Sequence, residues 1–209
     1  LNRDTTNYYL KLFDQYVKEG HHETRVDLES VDVETQQFVD DWATIMKIVR
    51  QVNQALTRQQ KMVLIVKIIE LVSLDNEISD SQANLIFYIG QALKSSQEDV
   101  HTLQTFVTGY DIDELANPNV LIIDEGSGDY AGPRLIEKDL TGLIAILRLL
   151  DGEIYFIKYL GITTLYLNSI LLRSRRIDIF PTGSTIRGDK VGPIYYSDII
   201  GKFLRDDEK

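Results

Sequence analysis

The spacing of apolar residues changes once along this chain, at Asn117-Pro118, and that change restricts the fold more than any other feature. Before it, apolar residues recur every three or four positions, as a buried helix face requires. After it, they come in short β-rich runs bounded by turn formers. The fold class expected is therefore multidomain, α then β. An acidic all-α helical bundle is expected over residues 1–116, and a small all-β sandwich or barrel over residues 117–204.

Within the first part, Tyr9, Leu12, Phe13, Tyr16 and Val17 outline a short amphipathic helix, and residues 20–30 read as a polar loop. Phe38, Trp42, Ile45, Val49, Val52 and Leu56 form a seam with alternating steps of four and three. Such a seam faces another helix, and it can close within one chain or across a homodimer. Thr57-Arg58-Gln59-Gln60, Ser79-Asp80-Ser81-Gln82 and Ser95-Ser96-Gln97-Glu98 each fit a capping box, so three helices are expected to open there. Residues 62–74 are apolar on nearly every side, which predicts a helix in the middle of a domain.

In the second part, residues 119–123 predict a short strand and residues 126–133 a turn-rich loop. Residues 144–150 and 154–160 flank Asp151-Gly152, a dipeptide suited to a type I′ hairpin. Leu165-Tyr166-Leu167 and Ile170-Leu171-Leu172 flank Asn168-Ser169 and predict another, and residues 177–180 predict a strand stopped by Pro181.

Charge and composition narrow the function. Residues 1–116 hold 19 acidic and 10 basic side chains, net −9, against 13 and 12, net −1, in residues 117–209. The acidic first part repels phosphate backbones, so nucleic acid is not an expected partner. With no cysteine, disulfides, thiolate nucleophiles and cysteine–metal sites are excluded. No uncharged run approaches the ~20 apolar residues of a spanning helix, so no direct membrane insertion is expected, and the absence of cysteine is compatible with a reducing cytoplasm. The chain opens on Leu1 and ends on the charged run 205–209, as a piece of a longer protein would.

No catalytic machinery is legible. The glycine-containing stretches at 126–128 and 183–190 lack the spacing of a phosphate-binding loop. His21 and His22 fall in a polar loop and His101 early in a helix, far from any metalloprotease or serine-triad pattern. Asp40 and Asp41 are adjacent on a helix and point apart, which defeats a glycosidase pair. Arg173, Arg175, Arg176, Arg187 and Lys190 read as a solvated strand face and loop. Glu70, Asp75, Glu77 and Asp80 crowd one interhelical turn, where carboxylates can gather oxygen ligands for Ca²⁺ or Mg²⁺. Turn formation by Asp75 and Asn76, with acids near the new helix start favouring its dipole, accounts for the same residues and is the preferred reading. No catalytic, cofactor-binding or metal-binding residue is assigned.

The turn Asp75-Asn76-Glu77-Ile78-Ser79-Asp80-Ser81-Gln82 and its flanking helices resemble the helical domain of the tellurite-resistance TerB-like family over about residues 33–110. Asn76 replaces that family's glycine and Gln82 its glutamate. The resemblance implies a divalent-metal-sensing role for the turn as an alternative function. Leu165-Tyr166-Leu167-Asn168, Phe180-Pro181-Thr182-Gly183-Ser184-Thr185-Ile186-Arg187 and Pro193-Ile194-Tyr195-Tyr196-Ser197-Asp198-Ile199 resemble a segment that precedes the ATPase of certain bacterial ABC transporter subunits. That resemblance implies a non-catalytic regulatory or interaction module of an ATP-binding subunit. It would lie on the cytoplasmic face of the inner membrane, with the downstream ATPase and membrane domains as partners. The β part is also similar to a forkhead-associated domain. It lacks that family's Gly-Arg and Ser-x-x-His motifs, so no phosphopeptide-binding residue is carried over.

Overall fold

The computed structural model describes residues 44, 47–74, 78–149 and 153–207. The chain divides into two compact units, Leu1–Ala55 and Leu56–Lys209. In the first, residues 47–55 are helical and Val49 is buried, while Phe38, Trp42 and Ile45 of the expected seam lie outside the described residues, as do the helix and loop expected before them. The change of apolar period at Asn117 falls inside the second unit.

Helix α1 (Arg58–Val72) starts where Thr57 accepts the Gln60 N–H and Gln60 answers to the Thr57 N–H. Helix α2 (Asp80–Ala92) starts the same way at Ser79 and Gln82. These reciprocal bonds satisfy main-chain donors that a helix start leaves free. The third start differs by one residue from the expected box. Helix α3 (Gln97–Thr108) is capped by Ser96, whose Oγ accepts from the Asp99 N–H at 3.0 Å and donates to Asp99 Oδ2 at 2.7 Å. Ser95 belongs instead to the end of α2: its N–H is held by the Gly90 carbonyl, and Lys94 before it takes φ +64°.

Along α1 the buried stripe is Met62, Ile65, Val66 and Ile69, spaced for one helix face. Leu71 and Leu74 remain 69% and 72% exposed, so α1 is not enclosed on all sides as its composition suggests. On α3, Val100, Leu103, Phe106 and Val107 are buried, and a side chain at Gly90 of α2 would run into Val100.

Among the described residues nine strands follow, in two sheets ordered β2-β1-β3-β4-β7 and β6-β5-β8-β9. The first joins β1 (Val120–Asp124), β2 (Arg134–Ile136), β3 (Gly142–Leu149), β4 (Ile154–Gly161) and β7 (Ile177–Ile179). It is mixed, because β2 lies parallel to β1 and the other pairs are antiparallel. The second, of β5 (Leu165–Leu167), β6 (Ile170–Leu171), β8 (Thr185–Gly188) and β9 (Ile194–Tyr195), is antiparallel. Helices followed by a mixed and antiparallel sheet region is thus the observed class.

Every residue of β1 is buried, as are all of β3 but Gly142, which explains their unbroken apolar runs: both faces are covered. Leu121, Ile123, Ile144, Ile146, Ile157 and Tyr159 share a core with Leu165, Leu167, Ile186 and Ile194 of the second sheet. On the other face Phe156 meets Val63 and Val66 of α1 across a small cavity, and Lys158 reaches main-chain oxygens at the end of α3. By contrast β5 is buried, half-buried, buried, as a strand covered on one face should be.

The Asn168-Ser169 hairpin forms as its sequence predicts, with φ +48° and +73° at the two turn positions. β3 and β4 pair from Gly142↔Gly161 to Leu149↔Ile154, and Asp151 and Gly152 between them lie outside the described residues. The expected all-β character of residues 117–204 needs one correction: Tyr196–Asp207 is a helix, α4. Its apolar residues Tyr196, Ile199, Ile200 and Phe203 recur at helical spacing and pack onto the core between the sheets.

Candidate functional site

The residues singled out in the sequence do not converge. Asp75, Asn76 and Glu77 lie outside the described residues. Glu70, counted with them, faces elsewhere: Oε1 accepts the Ile177 N–H at 3.0 Å and Oε2 accepts from Lys67 Nζ at 2.6 Å. Asp80 sits in the first turn of α2, where a carboxylate favours the helix dipole. Among the described residues no three His, Asp or Glu side chains gather to hold a metal ion. His101 is exposed on α3, and His21, His22, Asp40 and Asp41 lie outside the described residues. The basic group is dispersed. Arg175 lies 5.5 Å from the Tyr110 ring, Arg176 pairs with Asp178 at 3.3 Å, and Arg187 reaches Ser169 Oγ at 3.4 Å.

Residues 165–168, 180–187 and 193–199 do come together. They form β5, β8, β9 and the start of α4, consecutive in the second sheet and its continuation. Asn168 stitches them: its Nδ2 donates to Ser184 Oγ at 3.0 Å and its Oδ1 accepts the Thr185 N–H at 2.9 Å. The Ser184 carbonyl in turn accepts the Tyr196 N–H at 2.9 Å, and Phe180 stacks on the Tyr196 ring with centroids 5.6 Å apart. Asn168 is suited to this because asparagine tolerates positive φ and carries both a donor and an acceptor.

Two further polar centres were not legible in the sequence. Arg134 closes the 125–133 loop. Its Nε and Nη2 bond Asp124 at 2.8 and 2.7 Å, and its Nη1 and Nη2 bond the Gly128 and Ser127 carbonyls at 2.7 and 2.6 Å. The carboxylate beside it raises the Arg134 pKa further above its ordinary value. The second is Lys158 in the middle of β4, 0% exposed, with Nζ against the Phe106, Val107 and Gly109 carbonyls. Burial pulls its pKa down to about 8, against the pull of Glu114 and Glu70. A lysine so depressed is a candidate nucleophile or base where substrate can reach it. Here its donors are taken by main-chain oxygens and no water-accessible surface remains, so the arrangement serves structure rather than proton transfer.

An apolar groove of about 290 Å³ opens where the edge strands of both sheets approach α1. Val63 and Val66 of α1, Phe156, Leu172 and Ile179 line it, and Ile170 stands 74% exposed at its rim. Its size and lining suit apolar side chains, and it holds no pair of facing carboxylates.

Compared with known proteins, the chain matches no family model, no curated protein and no solved structure.

Proposed function

We propose that this chain is a non-catalytic regulatory or interaction module of a bacterial ABC transporter's ATP-binding subunit, on the cytoplasmic face of the inner membrane. In this reading α1–α3 belong to a TerB-like bundle and the two sheets to a forkhead-associated-like β domain. The supporting observation is the convergence just described. Three separate stretches that resemble the pre-ATPase segment become neighbouring strands, tied by the Asn168 side chain to Ser184 and by the Tyr196 N–H to the Ser184 carbonyl. The order of parts, helices before sheets, agrees with it. Among the described residues no helix is long and apolar enough to cross a membrane.

The test is removal of the region equivalent to residues 1–204 from the parent protein, with ATPase rate and transport measured in the same vesicles. Altered assembly or altered coupling of ATPase to transport is expected. Unchanged values of both would overturn the proposal. The metal-sensing alternative gains no support from Glu70, whose two carboxylate oxygens already have partners in α1 and β7.

A further inference from the structure

The last carbonyls of an α-helix have no N–H partner within the helix and carry its negative dipole end. At the end of α3 three main-chain oxygens in that region, of Phe106, Val107 and Gly109, converge on one point. They lie 3.0, 2.7 and 2.5 Å from Lys158 Nζ. The Tyr110 ring closes the same point with its centroid 4.8 Å from the ammonium, and Arg175 lies on that ring. Glu114, which accepts the Tyr110 N–H at 2.7 Å, and Glu70 on α1 both attract the charge. Three carbonyl oxygens, a π face and a helix C-terminus around one point are the surroundings of a bound monovalent cation.

We infer that the end of α3 is a cation seat, filled from the sheet by the side chain of Lys158, and that filling it fixes the end of α3 and the following 109–116 segment. The inference is independent of the transporter reading, because it concerns how α3 is held to β4 whatever the chain serves. The ligand class is an ammonium or alkylammonium ion, which the wild-type chain supplies itself.

Emptying the seat while leaving room for a replacement tests it. Lys158→Ala in the full chain at neutral pH should lose roughly tenfold or more of the hydrogen-exchange protection at the Gly109 and Leu115 amides, which bond the Thr105 and Asp111 carbonyls, while Leu103 keeps its own. Added n-propylammonium, which carries the three carbons that the substitution removes, should restore that protection and raise the melting temperature. Tetramethylammonium at equal ionic strength, which has no N–H to donate, should do neither. Equal effects of the two ions, or full protection in Lys158→Ala without any ion, would overturn the inference. Should that variant fail to fold, the wild-type ammonium protons read by nitrogen-15 NMR decide. Slow exchange with contacts to residues 106–109 supports the seat, and free exchange with water refutes it.

Discussion

Lys158 is buried and Tyr130 half-buried, and their titrations lie on opposite sides of the same pH range. Burial lowers Lys158 to about 8 from 10.5, so between those values the unfolded chain holds a proton that the folded chain has released. Stability contributed by this group therefore rises with pH across that window. Burial raises Tyr130 from 10.0 to about 12, and its hydroxyl donates to the Val120 carbonyl at 2.7 Å. There the unfolded chain loses its proton first, so stability falls as pH climbs above 10. Tyr159, also raised by burial, adds to the fall. We predict a maximum in unfolding free energy near pH 10, measured by urea titration at a series of pH values. Lys158→Met should flatten the rising limb and Tyr130→Phe part of the falling limb. A profile unchanged by either substitution would show that neither group is buried as described. Neither residue was legible in advance. A lysine between Ile157 and Tyr159 reads as a solvent-facing position on a strand, and only the helical layer over that face buries it. Arg134 was hidden likewise, because its partner Asp124 is ten residues away across a loop that sequence pattern describes only as turn-rich.

Elements were easier to read than their joints. The three helix starts were visible because a cap is a local arrangement within four residues. The third was misplaced by one because Ser95 and Ser96 offer the same chemistry, and what separates them is the tertiary position of Ser95. It is 7% exposed, and its buried Oγ has no partner among the described residues, while Ser96 caps α3 through Asp99. The two serines should therefore respond oppositely to substitution. Ser96→Ala is expected to cost about 1 kcal/mol, the usual value of an N-cap. Ser95→Ala removes that buried hydroxyl, and should be neutral or slightly stabilising. Urea unfolding of the two variants checks this, and a larger loss at Ser95 would return the cap to it. The strand pair β5–β6 is legible because its two-residue turn fixes register locally. The parallel pairing of β2 on β1 is not, since nothing within either strand encodes direction. Helix α4 is hard to read because it follows β9 without a break, although Tyr196, Ile199, Ile200 and Phe203 have helical spacing.

Across the second unit, helices and sheets are joined by bonds that neither part could satisfy alone. Lys67 Nζ donates to the Ile177 carbonyl at 2.9 Å, while Glu70 accepts the Ile177 N–H, so α1 occupies main-chain groups on the strand β7 at the edge of its sheet. An edge blocked in this way cannot pair with another chain at that position. Lys158 makes the reciprocal link from β4 to α3. Between these bonds lies an apolar face: Val120, Ile122, Leu147 and Phe156 are at most 2% exposed and belong to the first sheet. Taking the helices away would present that face and an unpaired lysine to water, at a cost set by the apolar area exposed and the carbonyls released. We therefore predict that residues 56–209 unfold in one cooperative transition, the two-state behaviour usual for a single core. The far-ultraviolet helix signal and the near-ultraviolet tyrosine signal, which Tyr155, Tyr159 and Tyr196 supply from the sheet side, should give coincident midpoints in urea. Fluorescence of Trp42 is the wrong probe, since it belongs to the other unit. A helical transition that precedes the tyrosine transition would mean that the bonds at Ile177 and Lys158 do not couple the layers, and that the sheets can hold their apolar face without the helices above it.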